Sequence, residues 1–260
     1  MTVRVTVAGA TGKLGGLVCG LVAAADDLEL IGTVVSPAGG HVGQPVCGVP
    51  AVGPDRLPEL LENTDVYVDL TAPEAAAQAL PVAAAAGANI VLGTTAVPAE
   101  VLTRMRETVA RQHSSALVSA NFSIGINVFW KVCEELAKDL PDYDIEIMEM
   151  HHNKKEDAPS GTAAEALRRL QLATGIGRVV YGRQGVVGAR PREIGVHSVR
   201  AGDIVGDHTV LFAQNMEMLE LTHRAVSRET FARGCLLAIR WLAPRKDGKV
   251  HNMSEGLNLC

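Results

Sequence analysis

The sequence predicts an α/β protein built on a Rossmann-type, doubly wound parallel sheet, with a second part of different pattern. Three observations predict it. A β-branched run is joined to an amphipathic run by a glycine-punctuated turn. Further β-rich runs then alternate with Ala-rich helical stretches. After Phe122 the pattern changes.

Val3 to Ala8 is the first strand run, and Gly9-Ala10-Thr11-Gly12-Lys13-Leu14-Gly15 follows it. Leu14, Leu17, Val18, Leu21 and Val22 then recur at helical spacing. Strand, glycine loop and helix in that order let backbone approach a pyrophosphate at a helix N-terminus. Lys13 adds a positive charge. A glycine-rich turn in an ordinary βαβ unit is the bland alternative, so the loop alone does not decide the matter.

Leu28 to Val35 reads as the second strand, and Val66 to Thr71 as another. Pro73 suits the first turn of the helix that follows. Asn89 to Thr95 and Ser115 to Asn121 are two more strands. Ligands bind at the carboxyl ends of such sheets. Thr71, Gly93-Thr94-Thr95 and Ala120-Asn121-Phe122 fall on that edge. The second strand ends Val34-Val35-Ser36-Pro37, without the acid that usually binds a ribose 2′-hydroxyl and without a nearby Arg or Lys for a 2′-phosphate. Ser36 and His41 are the local polar candidates. No strong NADH preference is expected.

In the second part, Val128, Val132, Leu136 and Leu140 predict one helical face, closed by Pro141. Asp142 to Met150 reads as a strand with imperfect alternation, carrying His151 and His152 at its end. Asp157-Ala158-Pro159 turns the chain, and a helix begins near Ser160 to Thr162. Thr162 with Glu165 fits a capping box, although Ser160 can cap instead. Imidazole moves protons near neutral pH, ammonium donates a proton or holds an anion, and a helix N-terminus binds carboxylate. Singly, each residue has a structural explanation. Together, His151, His152, Lys155, Ser160, Gly161 and Thr162 describe a site that holds an anionic substrate and protonates it.

Composition bounds the classes of partner and compartment. The 260 residues are 47% hydrophobic and 20% charged, enough for a sizeable core. A net charge of -5 gives no reason to expect nucleic acid or a membrane as partner. Five cysteines without a CxxC pair argue against a disulfide framework or a zinc site, so no metal is expected and a cytoplasmic setting is. No apolar run is long enough for a membrane span.

The chain resembles the 4-hydroxy-tetrahydrodipicolinate (dihydrodipicolinate) reductases of lysine and diaminopimelate biosynthesis. The Gly9 to Gly15 loop, Gly93-Thr94-Thr95 and Asn121 to Asn127 carry the resemblance, as do Val199 to His208 and Leu221 to Ala225 with Ser227-Arg228 and Phe231-Ala232. The most specific block is His151-His152 with Lys155 and Asp157 to Thr162. The resemblance implies a dinucleotide-binding domain at 1–121 plus 229–260, with the C-terminal helix returning from about Thr230. It implies a substrate-binding domain at 122–228, an α+β unit on an open mixed sheet that builds a homotetramer. It implies reduction of a small cyclic dicarboxylate by NADH or NADPH. His151 and Lys155 match catalytic positions, Lys155 as proton donor. His152, Lys155, Ser160, Gly161 and Thr162 match substrate-binding positions. Gly9, Ala10, Thr11, Gly12, Lys13, Leu14, Gly93, Thr94, Thr95, Ser119, Ala120, Asn121 and Phe122 match cofactor-binding positions. Chemically, either Lys155 or protonated His151 can supply the proton. Arg228 is a further candidate in the substrate domain. A reductase of another cyclic imine and a non-catalytic nucleotide sensor are the competing readings; a sensor need not keep a proton donor.

Overall fold

Hydrophobic runs buried on both faces make the first sheet. A computed structural model describes residues 2–259 of the chain, which divides into two units: Met1–Ile124 with Glu229–Cys260, and Gly125–Arg228.

The first unit runs β1 (Val3–Ala8), α1 (Lys13–Ala23), β2 (Leu28–Val34), β3 (Pro45–Val46), β4 (Val49–Val52), α2 (Leu57–Leu61), β5 (Val66–Asp69), α3 (Pro73–Ala85), β6 (Asn89–Leu92), α4 (Ala99–Gln112) and β7 (Ala116–Val118). The second unit holds α5 (Ile124–Asp139), β8 (Asp144–His151), α6 (Gly161–Thr174), β9 (Val179–Tyr181), β10 (Ile194–Arg200), β11 (Asp207–Gln214) and β12 (Glu217–Arg224). The chain then returns to the first unit through α7 (Glu229–Leu242), β13 (Val250–Asn252) and α8 (Met253–Gly256).

The first sheet has the order β13-β7-β6-β5-β1-β2-β4-β3 and is parallel except for the β3–β4 pair. Alternate residues of one strand feed opposite cores. Val66 and Val68 of β5 pack with Val18, Cys19 and Val22 of α1 and with Cys235 and Ile239 of α7. Tyr67, between them, packs on the other face with Leu80 of α3 and Met105 and Val109 of α4. This is the doubly wound sandwich that the alternating pattern predicts. The strands end earlier at the carboxyl edge than expected: β5 stops at Asp69 and β6 at Leu92, which frees Thr71 and Gly93-Thr94-Thr95 as loops.

The second sheet has the order β12-β11-β8-β10-β9, with β8, β9 and β10 parallel and β11 and β12 antiparallel. Ile145, Ile147, Ile194, Val196, Val210 and Phe212 form its covered face, under α5 and α6. β12 is exposed along most of its length, including Met218 and Leu219.

Two local expectations change. The buried face of α5 is Ile126, Phe129, Trp130, Cys133 and Ala137, whereas Val128 and Val132 are exposed. Bulky aromatic side chains cover more apolar area than valines, so they set the helix rotation. Ser160, not Thr162, caps α6: its Oγ accepts the Ala163 N–H at 3.1 Å. Glu165 pairs with Arg168 and Arg169 instead of closing a capping box. Among the described residues, no helix is long and apolar enough to cross a membrane.

Candidate active site

The glycine loop is shaped by close backbone contact. Gly9 has φ +79°, and a Cβ there would lie 2.3 Å from Leu70 O. A Cβ on Gly15 would lie 2.1 Å from Gly9 O. Gly12 N donates to Gly9 O at 2.8 Å, which closes the turn, and Gly12 is the N-cap of α1 without a side-chain cap. The helix therefore presents its first N–H groups without a side chain over them. Beside it lies a cavity of about 590 Å³, walled by Gly9, Thr11, Gly12, Val35, Ser36, Asp55 and Thr71, among others. Cavity, glycine approach and helix N-terminus together fit a dinucleotide.

The other predicted cofactor residues fall in different places. Ala10 is buried, Leu14 packs partly into the core and Lys13 is exposed outside the cavity wall. Phe122 is 2% exposed, with its ring where a Cβ on Gly93 would collide and its carbonyl where a Cβ on Gly234 would, so it shapes this edge from beneath. Ser119 Oγ donates to Asn121 O at 2.7 Å and fixes that turn. Thr95 and Ala120 are exposed.

Thr94 is buried, and its Oγ1 donates to Asp69 Oδ1 at 2.6 Å. Thr71 Oγ1 donates to the same oxygen at 2.7 Å, and Tyr67 OH to Asp69 Oδ2 at 2.7 Å. Burial, and then the neighbouring carboxylate, push the Tyr67 phenol well above its ordinary range, so it stays a donor. This buried carboxylate anchors both threonines. It was not anticipated, although a lone Asp in an apolar strand end is the signal that could have shown it.

In the second unit the site gathers at the carboxyl end of β8, where the odd residues face α6. Glu149 is fully buried and lies across the sheet from Ser198 and His208. Arg200 donates to both of its oxygens, at 2.7 and 2.9 Å, and Ser160 N donates at 3.2 Å. His151 Nδ1 sits 2.5 Å from Glu149 Oε2. Burial alone would raise the Glu149 pKa, but hydrogen bonds from Arg200, Ser198 and His151 outweigh it and hold it at about 2. His151 is pulled both ways. Burial lowers its pKa and Glu149 raises it; the balance falls below the ordinary value. Burial is the largest cause, and the positive charges of Lys155 and Arg200 also oppose imidazolium. The ionised Glu149 thus accepts the Nδ1–H of a neutral His151 and leaves Nε2 with its lone pair.

His208 meets His151 edge to face, with ring centroids 5.1 Å apart, and its Nε2 lies 3.0 Å from Ser160 Oγ. Burial pushes its pKa down to about 3. Lys155 Nζ donates to both oxygens of Asp157, at 2.7 and 2.9 Å, and is partly exposed. His152 is half-buried, and among the described residues its buried Nδ1 has no hydrogen-bond partner; the same is true of His208 Nδ1. Gly161 has open space where a side chain would be, at the N-terminus of α6. Thr162 lies just inside the helix, and its carbonyl accepts Trp130 Nε1–H at 3.1 Å. Arg228 is the half-buried last residue of this unit.

The structure therefore brings His151, Ser160 and the head of α6 around Glu149. Glu149, Arg200 and His208 went unassigned in the sequence. A charged residue at a core-facing position of β8 is the signal for Glu149, since Ile145 and Ile147 share its parity.

Comparison with known proteins agrees with both halves. Residues 3–122 match the family described as "Dihydrodipicolinate reductase, N-terminus", and residues 125–257 match "Dihydrodipicolinate reductase, C-terminus". The 4-hydroxy-tetrahydrodipicolinate reductase of Methanocaldococcus jannaschii is 42% identical, over 99% of this chain and 98% of that protein. The same enzyme of Methanospirillum hungatei is 40% identical over 99% of each. A dipicolinate-bound dihydrodipicolinate reductase from Paenisporosarcina sp. TG-14 shares the fold, with TM-score 0.79 and 24% identity over 99% of this chain and 100% of that one. Family matches across both units, and relatives similar along their full length, lead to one assignment: the chain belongs to the dihydrodipicolinate reductase family.

Proposed function

We propose that this chain catalyses the NAD(P)H-dependent reduction of 4-hydroxy-tetrahydrodipicolinate to tetrahydrodipicolinate, a step of lysine and diaminopimelate biosynthesis. The observation that carries the proposal is the buried Glu149 cluster, which fixes His151 and the head of α6 in the segment that also holds Lys155.

The first unit holds the nicotinamide dinucleotide. Gly9 to Leu14 meet the pyrophosphate through the backbone and the N-terminus of α1. Gly93 to Thr95, steadied by Asp69, and Ser119 to Phe122 form the rest of that edge. When bound, the cofactor supplies a hydride equivalent.

The second unit holds the dicarboxylate. Backbone N–H groups at Gly161 and Thr162, with the helix dipole, bind one carboxylate, and the open space at Gly161 gives it access. Ser160 divides its hydroxyl between capping α6 and meeting His208, so it orders the anion site rather than filling it. His152 and Lys155 add polar and positive contacts. Reduction leaves the product in need of a proton. Lys155 donates it, because an ammonium group is charged at neutral pH whereas His151 is held neutral. Asp157 holds the Lys155 ammonium in place. His151, oriented by Glu149, offers its Nε2 lone pair to the reacting end of the substrate.

The working form is proposed to be a homotetramer built on the second sheet, whose edge strand β12 exposes Met218 and Leu219. Light scattering at micromolar concentration checks this. A cytoplasmic setting is proposed from the free thiols Cys19, Cys47, Cys133 and Cys235. The decisive experiment supplies the condensation product of pyruvate and aspartate semialdehyde and follows NADH and NADPH oxidation separately. Substrate-dependent oxidation supports the proposal. Nucleotide binding without turnover would point to a sensor and sink it.

A further inference from the structure

The carboxyl end of β2 is where a dinucleotide fold distinguishes a ribose 2′-hydroxyl from a 2′-phosphate. Here that end carries no charge. The neighbouring strand supplies one. β4 lies parallel to β2 with Val34 beside Val52, and Val35 N–H donates to Val52 O at 2.9 Å. The turn Pro54–Arg56 follows β4 and so leaves the sheet on the same edge as Ser36. Asp55 and Ser36 both wall the cavity that runs past Gly9 and Gly12. The Asp55 carboxylate folds back over Gly53, since a Cβ on that glycine would collide with Oδ1. It therefore sits one residue beyond the Val35–Val52 hydrogen bond.

Among the described residues, Asp55 is the only charged side chain in the cavity wall. The adjacent Arg56 is turned to another partner: its Nε donates to Glu59 Oε1 at 2.6 Å, on the exposed side of the turn. A 2′-phosphate would meet a carboxylate and no cation, whereas a 2′-hydroxyl can donate to that carboxylate.

We propose that Asp55 is the cofactor-selecting residue, an acid from the β4 turn standing in for the one absent from β2, and that it makes the chain favour NADH over NADPH. The proposal rests on reading this cavity as the dinucleotide site. It replaces the even-handed cofactor use expected from the end of β2 alone.

Fluorescence titration of the purified chain with NADH and with NADPH, without substrate, tests it. The native chain is expected to bind NADH about tenfold more tightly at low salt, with the ratio shrinking as ionic strength rises. Asp55→Asn keeps the size and removes the charge. It should bring the two affinities within about twofold, chiefly by tightening NADPH. Asp55→Arg should invert the preference. Equal affinities in the native chain would overturn the proposal. So would a ratio that both variants leave unchanged while still binding nucleotide. If the native chain binds neither nucleotide, the cavity itself loses its assignment.

Discussion

The glycine-loop cavity and the end of β8 are built in opposite ways. The first is made of backbone. Its shape depends on side chains that are missing at Gly9, Gly12 and Gly15, and Asp55 is the only charge on its wall among the described residues. The second is made of side chains. Glu149, Arg200, His151, Ser160 and His208 hold one another in a low-dielectric setting. A backbone cradle is damaged by adding atoms, and a charged network by removing them. The contrast also separates the readouts: damage to the cradle should appear in nucleotide affinity, and damage to the network in turnover, stability and pH response.

The largest effect is expected at Lys155. Lys155→Ala should lower kcat by roughly 10²- to 10⁴-fold, the range of a lost general acid. The NADH dissociation constant should stay within about twofold, because Lys155 belongs to the unit that does not hold the glycine loop. Steady-state kinetics and fluorescence titration measure the two quantities. Full activity would remove Lys155 from the chemistry.

Next comes Glu149, whose loss leaves Arg200 without its carboxylate. Glu149→Gln should destabilise the second unit by on the order of 3 kcal/mol, as expected for breaking a buried ion pair. Adding Arg200→Met should recover part of that loss, since the stranded charge goes as well. Thermal melts of the single and double variants read the difference. A double variant less stable than Glu149→Gln would argue that Arg200 contributes mainly through packing.

In the cradle the two glycines should respond differently. Gly12 has extended backbone, φ -71° and ψ 164°, which valine adopts, and its Cβ would stand 3.1 Å from Gly9 O. Gly12→Val should therefore fold and bind NADH at least about tenfold more weakly, because the branched side chain stands over the helix N-terminus. Gly15→Ala places its Cβ 2.1 Å from Gly9 O and should lower the melting temperature instead. Nucleotide affinity unchanged in Gly12→Val would refute the loop as the pyrophosphate site.

The same contrast explains what could be read in the sequence. Glycines at fixed spacing between a strand and a helix are a local signal, so β1, the loop and α1 were legible together. The head of α6 was legible because histidines, lysine and a cap are neighbours in the chain. Glu149, Arg200 and His208 were not joined. They come from three strands, and only the register, Arg200 beside His151 and His208 beside Glu149, brings them together. Asp55 is hidden in the sequence for the same reason: it lies some twenty residues beyond the end of β2, and only the sheet places the end of β4 next to it. The rotation of α5 was misjudged because evenly spaced valines gave a cleaner pattern than the aromatics that actually fill the core.

The smallest effect is a slope in acid. His208 is 4% exposed, and burial holds its pKa at about 3, with the Lys155, His151 and His223 charges opposing imidazolium and Glu149 favouring it. An unfolded histidine titrates near 6.5. Between those values the unfolded chain binds the extra proton, so stability rises with pH across the window. The His208 contribution is complete above about pH 6.5 and falls as the pH drops toward 3, by at most about 1.4 kcal/mol per unit. Glu149, depressed to about 2, adds nothing to this slope until the pH falls below its unfolded value near 4.5. His151 and His223, both lowered by burial, steepen it in the same direction. Urea unfolding from pH 7.5 to 4.5 should thus show His208→Gln with a flatter profile than the native chain, by about one proton. Parallel profiles would mean that His208 takes up its proton in the folded state, and that the network around Glu149 tolerates charge where its burial says it should not.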